Sequence, residues 1–425
     1  MARIFIESYG CSLNKADSQA MVALLDDAGF EIVDKPEDSD IIIVNSCIVK
    51  SPTQQKIMRR LLLLKKLKKP IILAGCMPQA IPCDPKLSGF SQIGVNQVNN
   101  IVEVVMEALA GNTVVLLAKE NDEKLSIPHF SPSSFVDIIP ICQGCLGEPC
   151  SYCIVKAARG NLRSYPPNEI LQRVKEAANR GAKEIWLTAQ DTAAYGNDIG
   201  KSLPELLNMA SAVPGDFHLR LGMGNPNHML GFLKELIEAV KSPRVFKFIH
   251  LPLQSGNNEI LKRMRREYTV EEFEAIVQAF RASLPSITVA TDIICGFPGE
   301  TDAQFEDTLN LVRKVKLDVI NISRFWPRPG TEAATFNGFS GTLTKIRSRE
   351  LTKVFIETAF KVNTKWIGWM GDVLIHEQGP NKSWQGRNFA YKPVVVLSDG
   401  NLLGKRLRVR VFDASAYDLR GKILS

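Results

Sequence analysis

The chain has 425 residues, 45% apolar and 23% charged, and carries a formal charge of +7, the profile of an ordinary globular protein with two or three domains. Its nine cysteines are odd in number and form no regular framework, which excludes a small disulfide scaffold. No apolar run approaches the roughly 18 residues of a membrane span, and Met-Ala-Arg-Ile-Phe-Ile-Glu-Ser reads as a strand rather than a signal peptide. The chain is therefore expected in the cytoplasm with reduced thiols, where clustered cysteines are ligands rather than disulfides.

Residues 1–118 alternate strand and helix. Strands are predicted at Arg3–Glu7, Glu31–Val33, Asp40–Asn45, Pro70–Gly75 and Ser91–Val95, and helices at Ala16–Ala28, Ser51–Lys68 and Asn99–Ala110. Short apolar strands separated by helices imply a doubly wound parallel sheet. Residues 119–134 are polar and punctuated by proline, as in a linker.

Alternation resumes over 135–360. Strands fit Val136–Ile141, Glu184–Thr188, Phe217–Leu221, Lys247–Leu251, Thr288–Cys295 and Val319–Arg324. Helices fit Pro167–Asn179, Leu203–Ala212, His228–Val240, Val270–Ala282 and Ala303–Val315. About six such units imply an α/β partial TIM-like barrel, with its chemistry at the C-terminal strand ends.

Residues 363–425 change to short β segments, Gly371–Glu377, Pro393–Leu397 and Arg406–Phe412, which predict a small antiparallel β-barrel of the kind that binds nucleic acid. This segment holds ten basic against five acidic residues. Alternation puts Arg406, Arg408 and Arg410 on one face, with Lys405 just before them, as a phosphate-tracking stripe. Lys56–Lys69 carries seven basic residues and no acid, either a second phosphate-facing patch or a solvated helix face.

Two sets of cysteines carry the chemistry. Cys142, Cys145, Cys150 and Cys153 lie within twelve residues, just past the first barrel strand. Three thiolates suit an iron–sulfur cluster with one iron left open, whereas four would suit a structural zinc site, with Cys142 as the fourth ligand. Cys11, Cys47 and Cys76 each follow a parallel strand of the first domain. In the strand order 2-1-3-4-5 those strands are neighbours, spaced by roughly 4.8 Å, so the three thiolates converge within reach of a single cluster. Cys83 is read as incidental and Cys295 as core.

The run Gln-Gly-Cys145-Leu-Gly-Glu-Pro-Cys150-Ser-Tyr-Cys153 resembles the cluster motif of radical S-adenosylmethionine (SAM) enzymes. With Cys11, Cys47 and Cys76, and with His250-Leu-Pro-Leu-Gln-Ser-Gly256, Asp292-Ile-Ile-Cys-Gly-Phe-Pro-Gly-Glu-Thr301 and Phe325-Trp-Pro-Arg-Pro-Gly-Thr331, the whole chain resembles the methylthiotransferases. Leu187-Thr-Ala-Gln-Asp-Thr-Ala-Ala-Tyr-Gly196 and Arg220-Leu-Gly-Met-Gly-Asn-Pro226 are similar to the archaeal and eukaryotic branch, which methylthiolates N6-threonylcarbamoyladenosine beside the tRNA anticodon. That branch's eukaryotic members carry a C-terminal membrane tail, and an ending at Lys-Ile-Leu-Ser425 fits the archaeal type. One departure is the spacing: the family has Cys-x3-Cys-x2-Cys, and here four residues separate Cys145 from Cys150.

The resemblance implies an N-terminal methylthiotransferase domain, a radical SAM core and a C-terminal RNA-binding TRAM domain. It implies two [4Fe-4S] clusters, one on Cys145, Cys150 and Cys153 and the other on Cys11, Cys47 and Cys76. SAM would be the source both of a 5′-deoxyadenosyl radical, which takes hydrogen from C2 of the modified adenine, and of the methyl group that goes to a sulfur at the N-terminal cluster. Tyr152 would pack on the SAM adenine, and Gly296 and Gly299 would let backbone approach it. Thr188 and Gln190 would bind the methionine amine, while Asn225, His250, Gln254 and Arg324 would line the pocket. Implied partners are a tRNA anticodon stem-loop, an electron donor such as a flavodoxin or ferredoxin, and a sulfur source. Relatives act instead on N6-isopentenyladenosine or on an aspartate of a ribosomal protein. A zinc-stabilised RNA-binding protein without catalysis is the reading from another class.

Overall fold

The computed structural model describes residues 2–118 and 135–424, so the linker expected over 119–134 lies outside the described residues. The first domain is a parallel sheet of β1 (Arg3–Ser8), β2 (Glu31–Val33), β3 (Ile41–Ser46), β4 (Ile71–Gly75), β5 (Ser91–Gly94) and β6 (Val115–Leu116), in the order β2-β1-β3-β4-β5-β6. β3 and β4 are buried at every residue, which is why they read as unbroken apolar runs rather than alternating ones. Helices α1 (Ser12–Asp27), α2 (Ser51–Leu64), the short α3 (Cys76–Ala80) and α4 (Ile101–Leu109) cover the faces. β6 and α3 are too short for periodicity to reveal them.

The second domain is the expected half-barrel. β7 (Val136–Pro140) is followed by a small hairpin, β8 (Cys142–Gln143) with β9 (Arg163–Ser164), and by the one-turn helix α5 (Val155–Arg159) between its arms. Then come α6 (Pro167–Asn179), β10 (Glu184–Thr188), α7 (Leu203–Ala212), β11 (His218–Leu221), α8 (Pro226–Met229), α9 (Leu233–Val240) and β12 (Phe248–His250). They continue with α10 (Asn258–Arg263), α11 (Val270–Ser283), β13 (Thr288–Cys295), α12 (Asp302–Val315), β14 (Val319–Arg324) and α13 (Gly341–Asn363). Parallel ladders run β7-β10-β11 and β12-β13-β14, and bridges Leu219–Val245 and Met223–His250 join them. Three helix starts are reciprocal capping boxes, Ser202 with Glu205, Thr269 with Glu272 and Thr301 with Gln304. The 23-residue α13 was not predicted, because its buried positions are mixed with Thr, Arg and Ser.

The third domain is a closed barrel, β15 (Met370–Gln378), β16 (Ser383–Arg387), β17 (Pro393–Leu397), β18 (Arg406–Ala414) and β19 (Leu419–Ile423). It is not wholly antiparallel as expected. β17 and β19 run parallel, Val394 opposite Leu419, because β18 crosses between them in sequence. This barrel docks on the N-terminal ends of the half-barrel strands. Lys392 Nζ donates to Asp318 Oδ1 and Asn363 Oδ1, each at 2.7 Å, Lys247 N donates to Phe389 O at 2.9 Å, and Arg406 pairs with Asp216 at 3.0 Å. No described helix is long and apolar enough to cross a membrane.

Candidate functional site

The first domain faces the C-terminal ends of the half-barrel strands across a cavity of about 510 Å³. Both cysteine triads open into it: Cys11, Cys47 and Cys76 from one side, Cys145, Cys150 and Cys153 from the other.

The N-terminal triad follows from sheet topology. β1, β3 and β4 are neighbours, and each delivers one cysteine at its carboxyl end, Cys11 as the residue before α1 and Cys76 as the first residue of α3. Two glycines make the approach possible. Gly10 has φ +115° and a Cβ there would lie 2.8 Å from Cys47 Cβ; Gly75 has φ +92° and a Cβ there would meet Asn45 Oδ1 at 2.2 Å. Cys76 Sγ donates to Asn14 Oδ1 at 3.4 Å and Cys11 Sγ approaches the same oxygen at 3.8 Å. The guanidinium of Arg159 donates to that oxygen at 2.8 Å and pairs with Asp17 at 2.7 Å.

The second triad sits on the excursion between β8 and β9. Gly147, at φ +69°, and its exposed neighbours Leu146 and Glu148 carry the extra residue outward into solvent. The Gly147 carbonyl accepts from Lys156 Nζ. Cys142 turns the other way. It is fully buried in the half-barrel core, its Sγ 3.6 Å from the Asp191 carbonyl, and it does not line the cavity. The zinc reading with Cys142 as fourth ligand thus loses that ligand. Arg266 Nη1 donates to Cys150 Sγ at 3.2 Å and Val155 N to Cys153 Sγ at 3.4 Å.

The donor sets fit iron–sulfur clusters. Burial pushes the Cys145 thiol up to about 12 and those of Cys153 and Cys76 up to about 11, so each needs a strong Lewis acid to ionise it. Cationic Arg159 and Arg266 stand beside the thiols of the two sides. Arg159 Nε is a buried donor with no partner among the described residues, a group that an anionic cluster would satisfy. As the side chains stand, no three His, Cys, Asp or Glu among the described residues are gathered around a single metal-ion position.

Most of the other expected residues line the same cavity: Tyr152, Thr188, Gln190, Asn225, His250, Gln254 and Arg324. Several have structural partners. Thr188 Oγ1 shares a 2.6 Å hydrogen bond with Ser12 Oγ, and Gln190 Oε1 accepts from Gly144 N at 2.8 Å. Tyr152 packs on the apolar group of Ile260, Met264, Phe297 and Phe325. His250 Nε2 lies 2.7 Å from Asp292 Oδ2, and that bond holds Asp292 below its ordinary range despite burial. Gln254 takes φ +67°, a left-handed conformation rare outside glycine, and its N–H donates to Asp292 O at 2.7 Å. Gly296 and Gly299 do not reach the cavity. Both have positive φ, but a Cβ on Gly296 would meet Thr344 Cγ2 at 2.4 Å and one on Gly299 would meet Arg263 Nη2 at 2.8 Å, so their openness serves chain packing. Lys405, Arg406, Arg408 and Arg410 are exposed on the third domain, away from this cavity. Arg408 pairs with Asp372 at 3.5 Å.

Sequence reasoning missed the polar framework behind these residues. Asp191 accepts from Asn225 N at 2.9 Å and Nδ2 at 2.7 Å and meets His228 Nδ1 at 2.6 Å. Arg159, Arg266 and Asn14 were missed as well. Their signal was available only in part: Asp191 stands next to Gln190, and Arg159 follows Cys153 by six residues.

Comparison with known proteins agrees with this architecture. Residues 139–312 match the radical SAM superfamily, residues 3–87 the uncharacterized protein family UPF0004, and residues 368–424 the TRAM domain. A probable threonylcarbamoyladenosine tRNA methylthiotransferase of Pyrococcus horikoshii is 43% identical over 430 residues, covering 100% of both chains. The threonylcarbamoyladenosine tRNA methylthiotransferase of Homo sapiens is 38% identical, covering 100% of this chain and 74% of its own. Among solved structures, the radical S-adenosylmethionine methyltransferase TsrM of Kitasatospora setae superposes with a TM-score of 0.58 at 14% identity, over 79% of this chain and 75% of that one, a likeness of fold alone. With full-length relatives at this identity, the chain belongs to the threonylcarbamoyladenosine tRNA methylthiotransferase family of radical SAM enzymes.

Proposed function

We propose that this protein converts N6-threonylcarbamoyladenosine beside a tRNA anticodon into its 2-methylthio derivative. One observation carries the reading: two cysteine triads from different domains open into the same cavity. Bound there, two [4Fe-4S] clusters and SAM would supply one-electron carbon–sulfur cleavage, a site that carries sulfur delivered by a separate source, and a methyl group. The chain's own residues divide the work around them. Cys145, Cys150 and Cys153 hold the cluster that engages SAM, and Cys11, Cys47 and Cys76 hold the one that bears the transferred sulfur. Tyr152, Thr188, Gln190, Asn225, His250 and Gln254 shape the wall against which SAM lies.

Three functional segments correspond to 1–118, 135–360 and 363–425. The exposed stripe of Lys405, Arg406, Arg408 and Arg410 neutralises tRNA phosphates. An electron donor such as a flavodoxin or ferredoxin and a sulfur source complete the reaction, in the cytoplasm.

The test is nucleoside mass spectrometry of tRNA from cells with and without the gene. The methylthio derivative of threonylcarbamoyladenosine should vanish with the gene while its precursor accumulates. Unchanged levels of the derivative would refute the assignment.

A further inference from the structure

Threonylcarbamoyladenosine differs from isopentenyladenosine, the other tRNA substrate of related enzymes, by a free α-carboxylate. An enzyme that selects it needs a cation inside the cavity that no protein group has already engaged. Among the described residues, six Lys or Arg side chains line the cavity: Lys50, Arg159, Arg220, Arg266, Arg324 and Arg328. Arg159 is committed to Asp17 and Asn14. Arg328, 4% exposed, has both terminal nitrogens engaged, by Ser51 Oγ at 2.8 Å and Gln54 Oε1 at 2.7 Å, which leaves only its buried Nε without a partner among the described residues. Arg220 has no hydrogen bond or ion pair among the described residues, but its guanidinium is held by cation–π attraction over the rings of Trp186 and Phe248, each at 5.1 Å, and near Tyr391 at 5.7 Å. Arg266 is held by Cys150, Asn225 and Tyr268, next to the triad where the carboxylate of SAM must also lie. Lys50 is exposed at the rim, a point charge on a flexible stem.

Arg324 remains. It ends β14, opposite Cys295 of β13, and is half-buried among the cavity-lining residues Ser323, Phe325 and Trp326. Its Nε donates to Ser348 Oγ of α13 at 3.1 Å. That bond fixes the plane of the guanidinium, and no ion pair within 4.0 Å engages its two terminal nitrogens among the described residues. A guanidinium anchored through Nε presents a fork suited to bidentate binding of a carboxylate.

We propose that Arg324, oriented by Ser348, binds the threonyl carboxylate of the substrate and so sets the specificity of the reaction. The inference rests on the substrate reading above. Arg324 touches substrate; Ser348 is a positioning residue.

The experiment uses the full, anaerobically reconstituted enzyme. The substrates are an anticodon stem-loop bearing N6-threonylcarbamoyladenosine and the same stem-loop with the threonyl carboxylate blocked as its methyl ester. Wild type should favour the acid. Arg324→Met should lower kcat/KM on the acid by about ten- to a hundredfold, mostly through KM, and collapse the acid-to-ester ratio toward one. Arg324→Lys should fall between, and Ser348→Ala should shift the ratio part of the way. SAM affinity, measured without RNA, separates the alternatives. An equal loss on acid and ester together with weaker SAM binding would overturn the inference in favour of a cofactor role. Wild-type enzyme that processes acid and ester equally would overturn it while leaving the proposed function standing. Wild-type enzyme inactive on both stem-loops but active on an isopentenyl one would overturn the proposed function, and this inference with it.

Discussion

Arg159 and Asp17 form an ion pair of 2.7 Å, with side chains 1% and 6% exposed, that ties the helix after the barrel triad to the helix after Cys11. A charge buried this deeply is favourable only while its partner stays. Removing one member leaves the other uncompensated, at a cost of about 3–5 kcal/mol. Arg159→Met should therefore lower the thermal midpoint sharply, and the double variant Arg159→Met with Asp17→Asn should recover part of the loss. Calorimetry of the four-protein cycle measures the coupling. Additive losses would show that the pair is not what joins the domains.

Cys142 is fully buried and turned from the cavity, whereas Cys145, Cys150 and Cys153 face it. Iron and labile sulfide per chain should be unchanged in Cys142→Ala, at a modest core cost of about 1 kcal/mol. Cys150→Ala should lose about half of both and all SAM cleavage. Loss of iron from Cys142→Ala would make it a ligand after all.

Two histidines sit near or in the third domain with their pKa values depressed to about 4, His218 by burial and then by Arg406, His376 by burial and then by Arg387. Each is neutral when folded and ordinarily titrates at 6.5 when unfolded. The unfolded chain then binds more protons between about 4 and 6.5, so the stability gained above 6.5 is lost as pH falls through that window. Unfolding followed by fluorescence of Trp366 and Trp369 should show this decline. His218→Gln with His376→Gln should flatten it. An undiminished slope in the double variant would place its source elsewhere.

The basic stripe on β18 is not uniform. Arg406 and Arg408 already pair with Asp216 and Asp372, while Arg410 carries no ion pair among the described residues. Of the three, Arg410→Ala should weaken tRNA binding most, alike for all sequences, and reduce the salt slope by about 1. Filter binding from low to moderate salt reads this directly. An unchanged slope would move the RNA contact away from that face.

Legibility in the sequence followed the length and period of each element. The apolar runs Asp40–Asn45 and Pro70–Gly75 announced buried parallel strands, and from their order came the neighbouring placement of Cys11, Cys47 and Cys76. Spacing alone could not say which of four crowded thiols faced inward. That depended on the turn at Gly147 and on the core contact of Cys142, both tertiary. The interdomain polar contacts were also hidden, since Arg159 meets Asn14 across 145 positions and Arg328 meets Ser51 across 277. Gly296 and Gly299 show a further limit: positive φ marks close approach but does not name the neighbour, which is Thr344 in one case and Arg263 in the other.

The central claim is a division of labour between two triads that share one cavity. It is tested most directly by a single reaction of reconstituted Cys47→Ala enzyme with SAM, reductant and the threonylcarbamoyladenosine stem-loop, analysed for 5′-deoxyadenosine and for methylthiolated nucleoside together. In that reaction 5′-deoxyadenosine should still form while the methylthio product is absent. Loss of both products, or retention of both, would contradict the division of labour.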